Sequence, residues 1–332
     1  MKKITLIVLV NFITIFSSHA TQEMLINVPV CDLRSSQVTH DLIPASRLDD
    51  DFQETQLLLG ERILAKDLEN GWLKVELLDQ FNGINPEDKR IEGYIQRDQA
   101  LPVNKFEESN IVVKSLWCPI YSLDKSTILL HVTIGTKFMV LEGTGDWLTI
   151  KLPNGEIGII EKNNTNNLRQ HKSKKELRSE VVEVSKKFLE QPYLWGGRSS
   201  YTENVTDQVT GVDCSSLVQI AHAIVGKTIP RNSGFQYLAS NKLDSGKYLV
   251  SDDLIFLYNT RCNRITHVMT YIGQDSFIDT QNVTKENIVR TGLGKKWFGK
   301  TFEEMQSGEV IKSLSNDKTL GRKYKVYFGT YF

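Results

Sequence analysis

The chain has 332 residues, with 40% hydrophobic and 24% charged residues, an ordinary globular mixture that excludes wholesale disorder and leaves room for two or three compact domains. Lysine plus arginine equals aspartate plus glutamate at 40 each, so the formal net charge is zero. This argues against nucleic acid as a main partner, because phosphate binding draws on a basic excess; only a local basic patch stays open.

At the N-terminus, Lys2 and Lys3 precede an apolar run over residues 4–16, and Ser18-His19-Ala20 supplies a small-x-small step. This is the layout of a secretory signal peptide, with cleavage expected after Ala20. A retained anchor is the alternative, but the run is shorter than the ~20 residues that span a bilayer. No Cys follows the step and no later stretch could cross a membrane. The mature chain is therefore expected to be exported (periplasmic or secreted), monomeric and without stable membrane insertion. Its four cysteines, Cys31, Cys118, Cys214 and Cys262, leave room for at most one disulfide if one of them is a nucleophile.

Two segments repeat each other before residue 165. Gly60 and Trp72 stand twelve apart in the first, Gly135 and Trp147 twelve apart in the second. Leu73 and Val75 match Leu148 and Ile150, and Gly93-Tyr94-Ile95 matches Gly158-Ile159-Ile160. The first copy carries about ten extra residues, largely QFNGINPEDKR, which read as a polar loop. Alternating apolar positions, β-branched residues and regular turn signals predict two small all-β barrels. Residues 162–176 turn polar and read as a linker. A helical pattern follows, with Val181, Val182, Val184, Phe188 and Leu189 on one side. A loop rich in Gly and aromatics and then mixed helix and strands complete an α+β C-terminal domain. Residues 291–332 predict a helix near 301–311 and a closing strand around 324–329.

The segment GVDCSSLVQIAHAIVG places Cys214 at a helix start, with Asp213 as N-cap and an apolar face from Leu217 to Val225. A thiol there faces unpaired N–H groups and the positive end of the macrodipole, which suits a nucleophile. A buried, inert thiol fits the position as well. Any base must be a histidine, and beyond the leader these are His40, His131, His171, His222 and His267. The first two lie in or beside the repeats and the third in the polar segment. His222 is eight residues along the same helix, about 12 Å away at 1.5 Å per residue. His267 remains, in a strand-like run; a half-buried strand histidine with a satisfied ring is the other reading. A hairpin centred on Gly273 would set Asp279 opposite His267, with Cβ atoms about 5 Å apart, where a carboxylate can orient the imidazole. A solvent-facing Asp near a turn is the competing reading.

Five blocks in order, PYLWGG (192–197), GVDCSSLV (211–218), IPRNS (229–233), DLIFL (253–257) and HVMTYIG…FIDT (267–280), resemble the catalytic domain of the NlpC/P60 cysteine peptidases over residues 176–290. The β repeats resemble bacterial SH3-like domains over residues 25–104 and 108–162. The resemblance implies a leader (1–20), two SH3-like barrels (21–104 and 105–165) and a papain-like α+β domain (166–332), with Cys214 as nucleophile and His267 as base. The third polar residue in that family is commonly His, where this chain has Asp279. Ser216 replaces a frequent Gly and is expected only to stiffen the helix start.

The full layout resembles the γ-D-glutamyl-L-diamino acid endopeptidases of the YkfC type, which cut cell-wall peptides bearing a free N-terminal L-Ala. That resemblance implies murein stem peptides as partners. It also implies substrate contacts from Asp213, Ser215, Asn232 and Ser233, and from Glu61 and Tyr94 of the first barrel. Asp213 would meet the alanine ammonium. The chemistry so implied is acyl transfer to sulfur with no metal or organic cofactor. Two alternatives keep the same sequence features: a cell-wall-binding protein with an inactive C-terminal domain, or a Cys/His amidase or acyltransferase acting on another amide.

Overall fold

A computed structural model describes residues 20–38, 50–88, 90–103, 106–202, 209–281, 287–315 and 318–332. The apolar leader, and with it the signal-peptide reading, lies outside the described residues, as does His40. Among the described residues no helix is long and apolar enough to cross a membrane.

The first unit is one sheet of β1 (Gln22–Ile26), β2 (Val30–Arg34), β3 (Gln53–Leu58), β4 (Arg62–Asp67), β5 (Trp72–Phe81), β6 (Arg90–Gln96) and β7 (Ala100–Pro102), in the order 3-2-6-5-4-1-7. Side chains alternate along each strand, so Ile63 and Ala65 of β4 and Leu73, Val75 and Leu77 of β5 point into one core with Met24, Leu33 and Ile95. The second unit holds β8 (Ile111–Val113), β9 (Trp117–Tyr121), β10 (Ile128–Thr133), β11 (Lys137–Phe138), β12 (Val140–Thr144), β13 (Trp147–Lys151), β14 (Ile157–Glu161) and β15 (Thr165–Asn167). These form a sheet ordered 10-9-14-13-12 and a smaller one ordered 11-8-15.

The sequence repeat has a structural counterpart. Trp72 opens β5 and Trp147 opens β13, and the later glycines occupy the same rung, Gly93 opposite Val75 and Gly158 opposite Ile150. A Cβ on Gly93 would stand 2.6 Å from the Arg34 carbonyl, and one on Gly158 would stand 2.6 Å from Ile120 Cγ2. A neighbouring strand passes too closely at both places for any side chain.

Two stretches read as loop are in part strand. β5 continues through Gln80 and Phe81, both buried, so the extra residues of the first copy begin by lengthening a strand. Inside the polar run after residue 161, β15 pairs with β8. There Asn166 is buried, donating to Glu180 and to the Ile224 carbonyl. Polar side chains that find buried partners satisfy a strand's needs as well as a loop's.

The C-terminal unit has helices α1 (Lys174–Lys187), α2 (Cys214–Ile224), α3 (Ser233–Ala239) and α4 (Gly294–Phe298). A short ladder joins β16 (Arg198–Ser199) to β17 (Gly211–Val212). The main sheet comprises β18 (Asn241–Leu243), β19 (Leu254–Asn259), β20 (Arg264–Gly273), β21 (Ser276–Thr280), β22 (Val289–Leu293), β23 (Val310–Lys312) and β24 (Lys323–Thr330). Its order is 18-24-19-20-21-22, with β23 beside β24. The unit is thus α+β. The helix expected near 301–311 is absent: one 3-10 turn spans Phe302–Glu304, and the chain then turns at Gly308 (φ 85°) into β23. Phe302 and Met305 are buried, an apolar spacing that anchors a turn without continuing a helix.

Helix α2, which Cys214 opens, and the second β unit share a core. Val112 and Ile134 pack in one cluster with Val181, Leu217, Ile220 and Ile224. All four cysteines are free, Cys31 and Cys118 buried in separate β cores. Burial raises both thiols, Cys118 to about 12.

Candidate active site

Cys214 is the first residue of α2, behind an N-cap built on both sides. The Ser216 amide donates to Asp213 Oδ1 at 2.8 Å, and the Asp213 amide donates to Ser216 Oγ at 3.0 Å. Ser216, expected only to stiffen the helix start, is therefore half of a reciprocal cap, satisfying a donor that would otherwise be orphaned. The helix is seated by its buried apolar residues Leu217, Val218, Ile220 and Ile224. Cys214 is partly buried against the cluster of Val218, Ile229, Leu254, Phe256 and Val268.

His267 lies on β20, opposite Leu257 of β19. Its Nε2 bonds Asp279 Oδ1 at 2.5 Å, and Cys214 stands close enough to act on the ring. Burial alone would push the imidazole down, but Asp279 and then Cys214 outweigh it and hold the ring up at about 10. Asp279 is 1% exposed. Gln281 Nε2 lies 3.2 Å from each of its oxygens and 3.0 Å from His267 Nε2.

The hairpin register differs from the one expected. The pairs are Thr270–Ile278, Tyr271–Phe277 and Gly273–Ser276, with an irregularity between the last two. Continued, this register sets residue 281, not Asp279, opposite His267. The turn is Gln274-Asp275, both left-handed at φ 50° and 61°, a two-residue loop that matches strand twist. The hairpin centre therefore moves one residue past Gly273, and Asp279 reaches His267 along the diagonal.

Asp213 is not a free anion. Arg231, 1% exposed, grips it through Nη1 to Oδ1 at 3.0 Å and Nη2 to Oδ2 at 2.7 Å. Ser215 Oγ donates to the same Oδ1 at 3.1 Å. Ser233 begins α3 and is buried, while Asn232 stands exposed at the N-cap position without a side-chain cap bond. Gln236 of α3 ties this helix to α2 by donating to the Ser215 carbonyl at 2.8 Å. Glu61 pairs with Arg198 Nη1 at 2.7 Å and accepts from Gln80 at 3.0 Å. Tyr94 is half-buried on β6, with Lys74 and Arg34 as its strand partners, and those contacts do not bring it to the Cys214 unit.

Sequence reasoning missed the polar seam that locks the first unit onto this site. Gln56 Oε1 accepts from the Arg198 amide and from Ser199 Oγ, both at 2.8 Å, and its Nε2 donates to the Val209 carbonyl at 2.8 Å. Arg231 Nε donates to Thr55 Oγ1 at 2.7 Å, and its amide donates to the Phe81 carbonyl at 2.9 Å. The lengthened β5 thus ends against the α3 entrance, where Asn82 Oδ1 accepts from the Asn232 amide at 3.1 Å. Arg231 stood in the IPRNS block; its pairing with Asp213 has no local signal.

His222, dismissed by spacing, is buried near the far end of α2, with Nδ1 2.9 Å from the Val218 carbonyl and Nε2 3.4 Å from Asp252. Burial lowers it to about 4, so it is neutral and remote from the thiol. Among the described residues no group of three His, Cys, Asp or Glu side chains is placed to hold a metal.

A helix-borne thiol, an imidazole and a buried carboxylate in sequence define a centre of the cysteine-nucleophile type. Residues 190–306 match the NlpC/P60 family, and the chain carries an NlpC/P60 domain. Its resemblance to the YkfC-type enzymes extends beyond that domain. It is 26% identical over 234 residues to a γ-D-glutamyl-L-lysine dipeptidyl-peptidase of Bacillus cereus, the match covering 68% of this chain and 66% of that protein. A protein of the same name from Bacillus subtilis is 23% identical over 236 residues, covering 71% and 75%. The chain thus spans about two thirds of the length of the first of these and three quarters of the second. In fold it is similar to the crystal structure of an NlpC/P60 family protein from Bacillus cereus, with a TM-score of 0.68, 22% identity and coverage of 82% of this chain and 94% of that one.

Proposed function

We propose that this chain is an exported cysteine endopeptidase that hydrolyses the γ-D-glutamyl–diamino acid bond of murein stem peptides with a free N-terminal L-Ala. The observation that carries the reading is the buried His267, bonded to Asp279 with Cys214 beside the ring at the start of α2. In this reading His267 already carries the thiol proton when Cys214 sulfur attacks the γ-glutamyl carbonyl, and it gives that proton to the departing amine. Asp279 holds the ring by Nε2, leaving the other nitrogen for sulfur. Amides at the start of α2 stabilise the oxyanion, and water then releases the acyl dipeptide. The bond is inferred from the two relatives named for γ-D-glutamyl-L-lysine cleavage.

Asp213, Ser215, Asn232 and Ser233, around the Cys214 end of α2, are the groups assigned to substrate contact, with Glu61 and Tyr94 on the first unit. Asp213 Oδ1 is filled by Arg231, Ser215 and Ser216, while Oδ2 accepts from Arg231. A carboxylate oxygen has two acceptor sites, so an ammonium would share Oδ2 with the guanidinium. The two β units are read as SH3-like domains over 21–104 and 105–165, and residues 166–332 as a papain-like catalytic domain. Export rests on the leader at 1–20.

The test is incubation of the mature protein with L-Ala-γ-D-Glu-L-Lys and its diaminopimelate counterpart, each with a free and an acetylated amine, and mass spectrometry of the products. Release of L-Ala-D-Glu from the free-amine peptides alone, abolished by Cys214→Ala, is the expected result. Equal cleavage of the acetylated peptides would remove the terminus requirement, and cleavage by the Cys214→Ala chain would remove the mechanism.

A further inference from the structure

Asp279 brings a buried negative charge to a position where the family commonly has a neutral or cationic His. Across the next rung stands Arg290, the direct β22 partner of Asp279. Its Nη2 lies 3.7 Å from Asp279 Oδ2, the oxygen turned away from His267. The guanidinium is also stacked over the Trp297 ring, 4.4 Å from the centroid. Trp297 is itself fixed edge-to-face on Phe277 at 5.0 Å. The cation is therefore clamped by an aromatic face on one side and aimed at the carboxylate on the other.

We infer that Arg290 is a positioning residue of the nucleophile site, balancing the Asp279 charge and holding the carboxylate with Oδ1 on His267. The inference rests on the Cys214–His267–Asp279 reading above. Among the described residues the groups facing Asp279 are His267 from β20, Arg290 from β22 and the uncharged Gln281 amide from its own segment; Cys214 of α2 faces His267. With Arg290 gone, the carboxylate loses its β22 contact at Oδ2, and Oδ1 is held less firmly on His267. The thiol's base is then held less firmly in turn. A charge within about 4–6 Å of an ionisable group moves titrations by roughly one to three pH units, and the partial exposure of Arg290 places its effect on thiol reactivity at the low end.

The test needs no peptide substrate. The rate of alkylation of Cys214 by iodoacetamide is followed against pH, with the modified peptide identified by mass spectrometry because Cys262 is also exposed. Arg290→Gln is expected to raise the acid midpoint by about one unit, and Arg290→Lys, which keeps the charge, by less than about a third of that. If Arg290→Gln fails to fold, Arg290→Met, which can still cover Trp297, gives the same comparison. An unmoved midpoint in the charge-removing variant, or an equal shift with Lys, overturns the inference. Because alkylation reports on the thiol alone, failure to cleave murein peptides leaves this result readable.

Discussion

His267 and Asp279 meet on a diagonal of the β20–β21 hairpin, Nε2 to Oδ1 at 2.5 Å, and are not direct partners on the ladder. The contact depends on the two-residue turn at Gln274-Asp275, so hairpin geometry and imidazole orientation are linked. Asp279→Asn keeps the shape and removes the charge. The expected outcome is a fall in kcat of about 10² with little change in KM, the size usual for impaired general acid–base chemistry. Steady-state kinetics on a free-amine stem peptide decides it; an unchanged kcat would exclude Asp279 from the site's chemistry.

The same couple governs stability in base. The folded His267 is held up at about 10, above its ordinary 6.5, so the folded state binds a proton that the unfolded chain releases first. Its contribution is whole below about pH 6.5 and is lost as pH climbs toward 10, a loss on the order of a few kcal/mol. Urea unfolding at pH 6, 8 and 9.5 should show the decline, and Asp279→Asn should flatten it.

Arg231 and Asp213 form a buried pair with Ser215 held between them. Arg231→Met leaves the carboxylate uncompensated and removes one of the two partners of Thr55 Oγ1. Removing one partner of a buried ion pair costs about 3–5 kcal/mol, readable as a drop in urea midpoint. The companion change Asp213→Asn should cost less, because an amide oxygen still caps α2.

Gly93→Ala and Gly158→Ala test the repeat as structure. Each added methyl meets a neighbouring strand at 2.6 Å, so each should cost about 1–3 kcal/mol of overpacking. Gly71→Ala meets no atom within 4 Å, yet its φ of 86° strains any other residue; about 1 kcal/mol is expected there. Thermal melts of the three variants separate crowding from backbone strain.

The place of Cys214 at a helix start was readable because its signals are local: Asp213 caps, Cys214 follows, and apolar residues recur at helical spacing. The two repeats were readable because glycine and tryptophan mark fixed rungs of similar ladders. Other features had no local mark. The register of β20 on β21 turns on which residues take the left-handed conformation, and Gly273 drew the hairpin centre one residue early. The guanidinium that grips Asp213 lies eighteen residues on, beyond the reach of pattern reading. Polarity hid β15 for a related reason: Asn166 looks solvated until Glu180 and the Ile224 carbonyl are seen beside it.

The core shared by Val112, Ile134, Leu217 and Ile220 sets a limit on modularity. The second β unit is not a bead on a string that could be clipped off to leave the C-terminal portion intact. Its side chains are part of the wall on which α2 rests, and a Cβ on Gly135 would lie within 4 Å of both Leu58 of β3 and Ile220 of α2. Excising residues 105–165 would open an apolar gap directly beneath the thiol's own helix. The geometry at sulfur is thus inherited from chain made well before Cys214, and any recombination of these units must carry that wall along.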